Sequence, residues 1–210
     1  AGDSAVPEIT LGNEYIFYLD IHGRIAAVSS SSLQEIGYAV MVKMSQDDDD
    51  EEKVRVKYMD SVGDWHESYL RKRVKLYDDT HTGKSLKASE IFTLLVNANG
   101  RITPQVVQLS ENSDGEINVL KIAVASQKSI KDKLTVGNTV TGCYRWTTKL
   151  LGNSNNIALY VADDATIFLL PQGYSTNEED YSVRAGALDA DETYTVTPYN
   201  TDDFGESDCI

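Results

Sequence analysis

Apolar and polar positions alternate in short runs along this chain, and turn residues separate the runs. YIFYLD at 15–20 and RIAAVS at 24–29 read as a hairpin. The apolar run breaks at Asp20 and resumes at Ile25, and Gly23 supplies a positive φ at no steric cost. His22 sits inside that turn. GYAVMVKM at 37–44 reads as the next strand, and the acidic run QDDDDEE at 46–52 interrupts the pattern as a solvated loop. KVRVKYMD at 53–60 then alternates with period two, placing Val54, Val56 and Tyr58 on one face and Arg55 and Lys57 on the other. After the turn DSVGD at 60–64, WHESYLRKRVKLYD at 65–78 returns as one strand or two.

One segment keeps a different period. In SLKASEIFTLLVNANG at 85–100, Leu86, Ile91, Leu94 and Leu95 form a helical stripe, with Ser85 as its cap and Gly100 past its end. A hairpin follows at 101–125 around Asp114-Gly115, with Pro104 at its edge. The pattern restarts near residue 126: two strands around Gly137-Asn138, then IALYV and TIFLL joined by an Ala-Asp-Asp turn at 162–164. A polar loop STNEEDYSVR and the alternating TYTVTP come next, and GESDCI at 205–210 opens a further strand, an ending that reads as a cut. Many short strands with one short helix predict a mainly β fold of two small barrel- or sandwich-like domains. They are placed at 9–123 and 131–210, with the polar stretch 126–133 as connector or as a loop of one larger domain.

Composition narrows the setting. The formal net charge of -14 repels phosphate backbones and anionic lipid, which argues against nucleic acid as a partner. No run of apolar residues is long enough for insertion into a membrane as a helix. AGDSAVPEIT has neither the basic nor the apolar region of a signal peptide, which leaves a removed leader or an excised fragment. Cys143 and Cys209 are the two cysteines, either one disulfide or two small core residues, and their spacing suggests no zinc site.

Candidate chemistry is sparse. His22, His66 and His81 include no pair at metal-motif spacing, and His66, near Trp65 and Glu67, reads as a half-buried histidine. His22, Asn99 and Asp114 each precede a turn glycine. The serines, SSSS at 29–32 among them, fit no nucleophile motif. Asp47 to Glu52 gathers carboxylates but lacks the spacing of a calcium loop. The basic cluster Arg71, Lys72, Arg73 and Lys75 places Arg71, Arg73 and Lys75 on one strand face, to pair with that acidic run or to hold an anionic polymer. Twelve tyrosines offer stacking surfaces for sugars, though most such rings pack cores. No catalytic, cofactor-binding or metal residue is assigned.

The ordered series Asp20–Ile25, Gly37–Val40, Val54–Lys57, Asn112–Ile117, Asp164–Phe168 with Pro171, Asp180–Val183 and Tyr199–Asp203 resembles the extracellular regions of Firmicutes surface proteins that carry S-layer homology domains. The anchoring repeats of that group are absent from these 210 residues. The resemblance implies an exported, non-catalytic region at the cell wall surface, acting in spacing, display or adhesion, with a wall polymer or another surface protein as partner. It implies no cofactor. A carbohydrate- or calcium-binding module and a phage structural component are the alternatives.

Overall fold

A computed structural model describes residues 15–19, 24–30, 37–47, 49–145, 147–153, 156–171, 173–186, 188–203 and 206–210. The mainly β expectation holds: sixteen strands and one α-helix carry the described residues. β1 (Tyr15–Leu19) and β2 (Ile25–Ser30) form an antiparallel hairpin, as the apolar pattern requires. Its turn, with His22 and Gly23, lies outside the described residues.

β3 (Gly37–Asp47), β4 (Asp50–Asp60) and β5 (Trp65–Tyr77) form a meander. β6 (Thr82–Lys87) folds back on β5, and helix α1 (Ala88–Leu95) leads to the hairpin β7 (Gln105–Glu111) and β8 (Ile117–Ile122). β8 lies parallel to β5, and β7 pairs with β3, so the hydrogen bonding runs β3–β4–β5–β8–β7 and back to β3. This is a closed five-stranded barrel. Met41, Val56, Tyr58, Val74, Leu76, Val107 and Leu120 fill it, and α1 plugs one end with Ala88 and Ile91.

Several local expectations shift. The acidic run is no separate loop: β4 already begins at Asp50, opposite Asp47, so the hairpin tip is tight. Residues 65–77 form one strand, which serves β4 with its first half and β6 and β8 with its second. The helix starts two residues later than a cap at Ser85 required, because Ser85 and Leu86 pair in β6 with Lys75 and Val74. Glu90 instead closes the helix start by accepting the Lys87 N–H at 2.7 Å. Gly100 and Gly115 do occupy turns, at φ 71° and 75°.

After β9 (Val124–Ala125), an exposed turn at 127–132 leads to β10 (Thr135–Val136), parallel to β9. β11 (Val140–Arg145), β12 (Leu150–Asn153) and β13 (Asn156–Leu169) form a second meander. β14 (Ser182–Ala185) folds back on β13, β15 (Thr193–Val196) pairs with β11, and β16 (Glu206–Cys209) lies parallel to β13. A bridge between Tyr199 and Cys209 closes the circuit. The expected turn at 162–164 is absent, because β13 runs through it. Ala162 and Ala165 are buried there while Asp163 and Asp164 face solvent, which is a bulge that bends the strand between its two sets of partners.

The two circuits are the same circuit. In each, an antiparallel meander gives three strands, a fourth folds back on the third, and a final hairpin pairs with the first strand while its last member lies parallel to the third. The registers agree residue by residue. Setting Val140↔Val196 on Ala39↔Val107 places Thr141↔Thr195 on Val40↔Val106. Continuing that register brings Tyr199↔Cys209 onto Ser110↔Val119.

Between them sits a third core. Val40, Val42, Met59 and Val106 point outward from the first barrel and pack against Phe168, Tyr181 and Cys209. That is why β3 reads AVMV without alternation: both of its faces are covered. Trp65 meets Tyr181 edge to face at 5.6 Å, Lys57 pairs with Glu178, and the Asn200 amide donates to the Tyr38 hydroxyl at 2.6 Å.

Candidate functional site

A group of titratable side chains sits at one mouth of the first barrel. β4 delivers Tyr58 and Asp60, β5 delivers His66, and the end of β7 delivers Ser110 and Glu111. Together with Gly37 and Tyr38 they line a cavity of about 280 Å³. The turn at 60–64 sets the geometry: the Asp60 carboxylate accepts the N–H groups of Val62 and Asp64, each at 2.9 Å, while Gly63 takes a φ of 95°. The other Asp60 oxygen lies 2.8 Å from His66 Nε2.

His66 stacks on Tyr58 with ring centroids 5.1 Å apart, and the Tyr58 hydroxyl donates to Glu111 at 2.6 Å. Burial, then the bond to Glu111, pushes the Tyr58 phenol above its ordinary range. Partial burial works to raise the Asp60 carboxyl, but bonds from His66 and the two backbone amides outweigh it and hold it below the ordinary range. The mouth therefore offers a stacked aromatic pair and a fixed carboxylate. It can hydrogen-bond and stack on a small polar ligand, and its phenol stays protonated near neutral pH.

A similar device closes the far end of β5, where Asp78 accepts the N–H of Thr80 at 2.7 Å and of His81 at 2.6 Å. The His81 ring lies 2.9 Å from the same carboxylate. Both described histidines thus have an aspartate partner at a turn. The sequence hid this for His66, because Asp60 lies six residues away and only the hairpin brings it back. The remaining histidine, His22, lies outside the described residues.

Along the outer wall, β4 and β5 set Arg55 against Tyr69, with the guanidinium 5.1 Å from the ring centroid. Arg71, Arg73 and Lys75 continue outward along β5 as their alternation required, and all three are exposed. The acidic tip engages part of this cluster. Glu52 lies 3.1 Å from Lys72 and 3.8 Å from Lys87, and Asp47 lies 3.8 Å from Arg55. Among the described residues, no three His, Cys, Asp or Glu side chains are grouped to hold a metal ion. Cys143 is a free thiol, half-buried on β11, so it is not paired with Cys209, which is fully buried in the third core.

Comparison with known proteins finds no matching family model, no similar curated protein and no similar solved structure.

Proposed function

We propose that the chain is a spacer and display region of an exported bacterial surface protein, holding other segments away from the wall without catalysing a reaction. The observation that carries this reading is the third core. Two copies of one barrel plan are joined face to face by Val40, Val42, Met59, Val106, Phe168, Tyr181 and Cys209, so the joint is packed like a domain interior. A pair joined this way transmits position, which is what a stand-off element needs. The acidic surface favours solubility and self-repulsion in a crowded layer, and it disfavours nucleic acid and anionic lipid. The likeness to surface-layer proteins points the same way.

The reading is tested by display. An epitope is placed before residue 1 and a wall anchor after residue 210, and its height above a bacterial surface is measured by fluorescence interferometry. The intact chain is expected to hold the epitope at a sharply defined height. A Val40→Asp chain, with the joint opened, is expected to give a broad distribution at equal surface density. Identical distributions would end the spacer reading.

A second reading has one observation in its favour. Five-stranded barrels of this general plan bind oligosaccharides on the wall formed by their second and third strands. Here that wall carries Tyr69 under Arg55, followed by exposed Arg71, Arg73 and Lys75. It suits a wall glycan bearing acidic groups. Saturable binding of such a glycan, lost on replacing Arg71 and Arg73 by Ser, would replace the spacer reading with an adhesive one.

A further inference from the structure

Three strands of the first barrel change character at the same level. Along β4 the inward positions run Val54, Val56, Tyr58 and then Asp60, and along β7 they run Val107, Leu109 and then Glu111. β5 sets His66 opposite Tyr58, on the same face. Two carboxylates and an imidazole therefore stand on the inner face, where the rows behind them are apolar. A bulge adjoins them: the register shifts between Ser110 and Glu111, which leaves Asn118 of β8 as the extra residue, and Asn118 accepts the Ser110 hydroxyl at 2.8 Å.

Hydrogen bonding within the mouth uses up its protons and leaves acceptors. The Tyr58 proton goes to Glu111 Oε1 and the Ser110 proton to Asn118. Asp60 is an ionised carboxylate and can only accept, so the proton in its 2.8 Å contact sits on His66 Nε2. With the ring neutral, His66 Nδ1 is then a bare acceptor. Among the described residues, neither Nδ1 nor the second oxygen of Glu111 has a partner. Ser61 adds a hydroxyl that donates or accepts, and no lysine or arginine lines the cavity of about 280 Å³. That volume is at the small end for a ligand site.

We propose that this mouth binds a compact, polyhydroxylated primary ammonium ion, an amino sugar in chemical class. The ammonium donates to the open oxygen of Glu111 in a charge-assisted bond, and neighbouring hydroxyls donate to His66 Nδ1 and Asp60. The chemistry excludes the other classes of small ligand. A carboxylate or phosphate meets Asp60 and Glu111 with no cation beside them. A neutral sugar leaves Glu111 without a counter-charge, and a plain alkylammonium leaves Nδ1 bare. The site is opposite in charge to the basic strip on the outer wall, and it stands apart from the spacer reading.

The test titrates the 210-residue chain with four probes near neutral pH, in buffer free of amines, and follows the ring resonances of His66 and Tyr58 by NMR. The probes are glucosamine, N-acetylglucosamine, glucose and ethylammonium. Glucosamine is expected to shift both rings saturably, and each of the other three to bind at least about tenfold more weakly, since each lacks one class of donor. Glu111→Gln keeps an acceptor for Tyr58 but removes the charge, and it is expected to weaken glucosamine binding by about tenfold or more. Asp164→Asn removes the same charge from an exposed site on the second barrel and is expected to leave binding unchanged. The proposal is overturned if glucosamine leaves both rings unmoved, or if N-acetylglucosamine, glucose or ethylammonium binds as well as glucosamine does. Equal losses in Glu111→Gln and Asp164→Asn would overturn it too, because general attraction to an acidic chain would then account for the binding. The probe series on the unmodified chain decides the matter even where Glu111→Gln does not fold.

Discussion

The two barrels share a plan and differ in how each surface of that plan is finished. In the first, the outward pair Val40–Val106 is apolar and lies under the second barrel. In the second, the matching pair is Thr141–Thr195, flanked by Thr139–Thr197, with the hydroxyls of each pair 2.9 Å apart. Threonine fits the pleated surface as well as valine does, but its hydroxyl keeps the face compatible with water. The joint is thus written once, into one face of one barrel, and the second barrel does not offer the same face onward. The ends differ too: α1 plugs the first barrel with Ile91, whereas in the second core the segment between β14 and β15 contributes Leu188. The lesson is that strand order fixes which surfaces exist, and a few outward side chains decide which of them associate.

The comparison can be broken most directly at the matched pairs. Val40→Asp sets a carboxylate into the joint and is expected to cost several kcal/mol, read as a large fall in the denaturation midpoint or as two separate transitions. Thr141→Asp at the matching place is expected to change stability by no more than about 0.5 kcal/mol. Equal losses would mean that the threonine face is also covered.

Ile91→Ala removes the helix plug and is expected to cost about 2–5 kcal/mol by chemical denaturation. Gly142 stands where the first barrel has Met41, and an added Cβ would lie 2.7 Å from the Gly152 backbone. Gly142→Ala is therefore expected to cost about 1–3 kcal/mol, and a neutral outcome would show that β11 and β12 separate easily.

A gain is expected inside the second barrel. The Tyr144 hydroxyl is buried without a hydrogen-bond partner, so Tyr144→Phe is expected to stabilise by about 1 kcal/mol. The smallest effect concerns pH and belongs to the first barrel. Asp60 and Asp78 have carboxyls held below their ordinary range by hydrogen bonds that outweigh partial burial. A depressed carboxyl contributes stability that is present above its unfolded value, about pH 4, and is lost as the pH falls through its lower folded value. Asp60→Asn is expected to flatten the acid limb of the stability curve below about pH 4 and to leave the slope above pH 5 unchanged. Melts from pH 2 to 7 measure this.

Much of the strand layout was legible because alternation is local. Val54, Val56 and Tyr58 point inward as their spacing requires, and the turn at Gly100 and the hairpin at Gly115 follow from turn chemistry. What misled was local as well. ADD at 162–164 has the composition of a turn, yet the bend it makes lies within one strand, because β12 and β14 both need β13 as their partner. Leu86 fits a helical stripe but pairs with Val74. The repeat was hidden because the two barrels share pairings and not residues: Met41 corresponds to Gly142, and Val106 to Thr195. The site at the barrel mouth was hidden for a different reason, since Tyr58 and Glu111 lie 53 residues apart.

The joint also sets a schedule for synthesis. The strands that carry its apolar floor, from Val40 to Val106, are complete once β8 has emerged, whereas the groups that cover it extend from Phe168 to Cys209. At elongation rates of about 5–20 residues per second, the stretch from Ile122 to Cys209 takes about 4–17 s. Through that interval a folded first barrel presents Val40, Val42, Met59 and Val106 to its surroundings, so an emerging chain is stickiest just after its first half has folded.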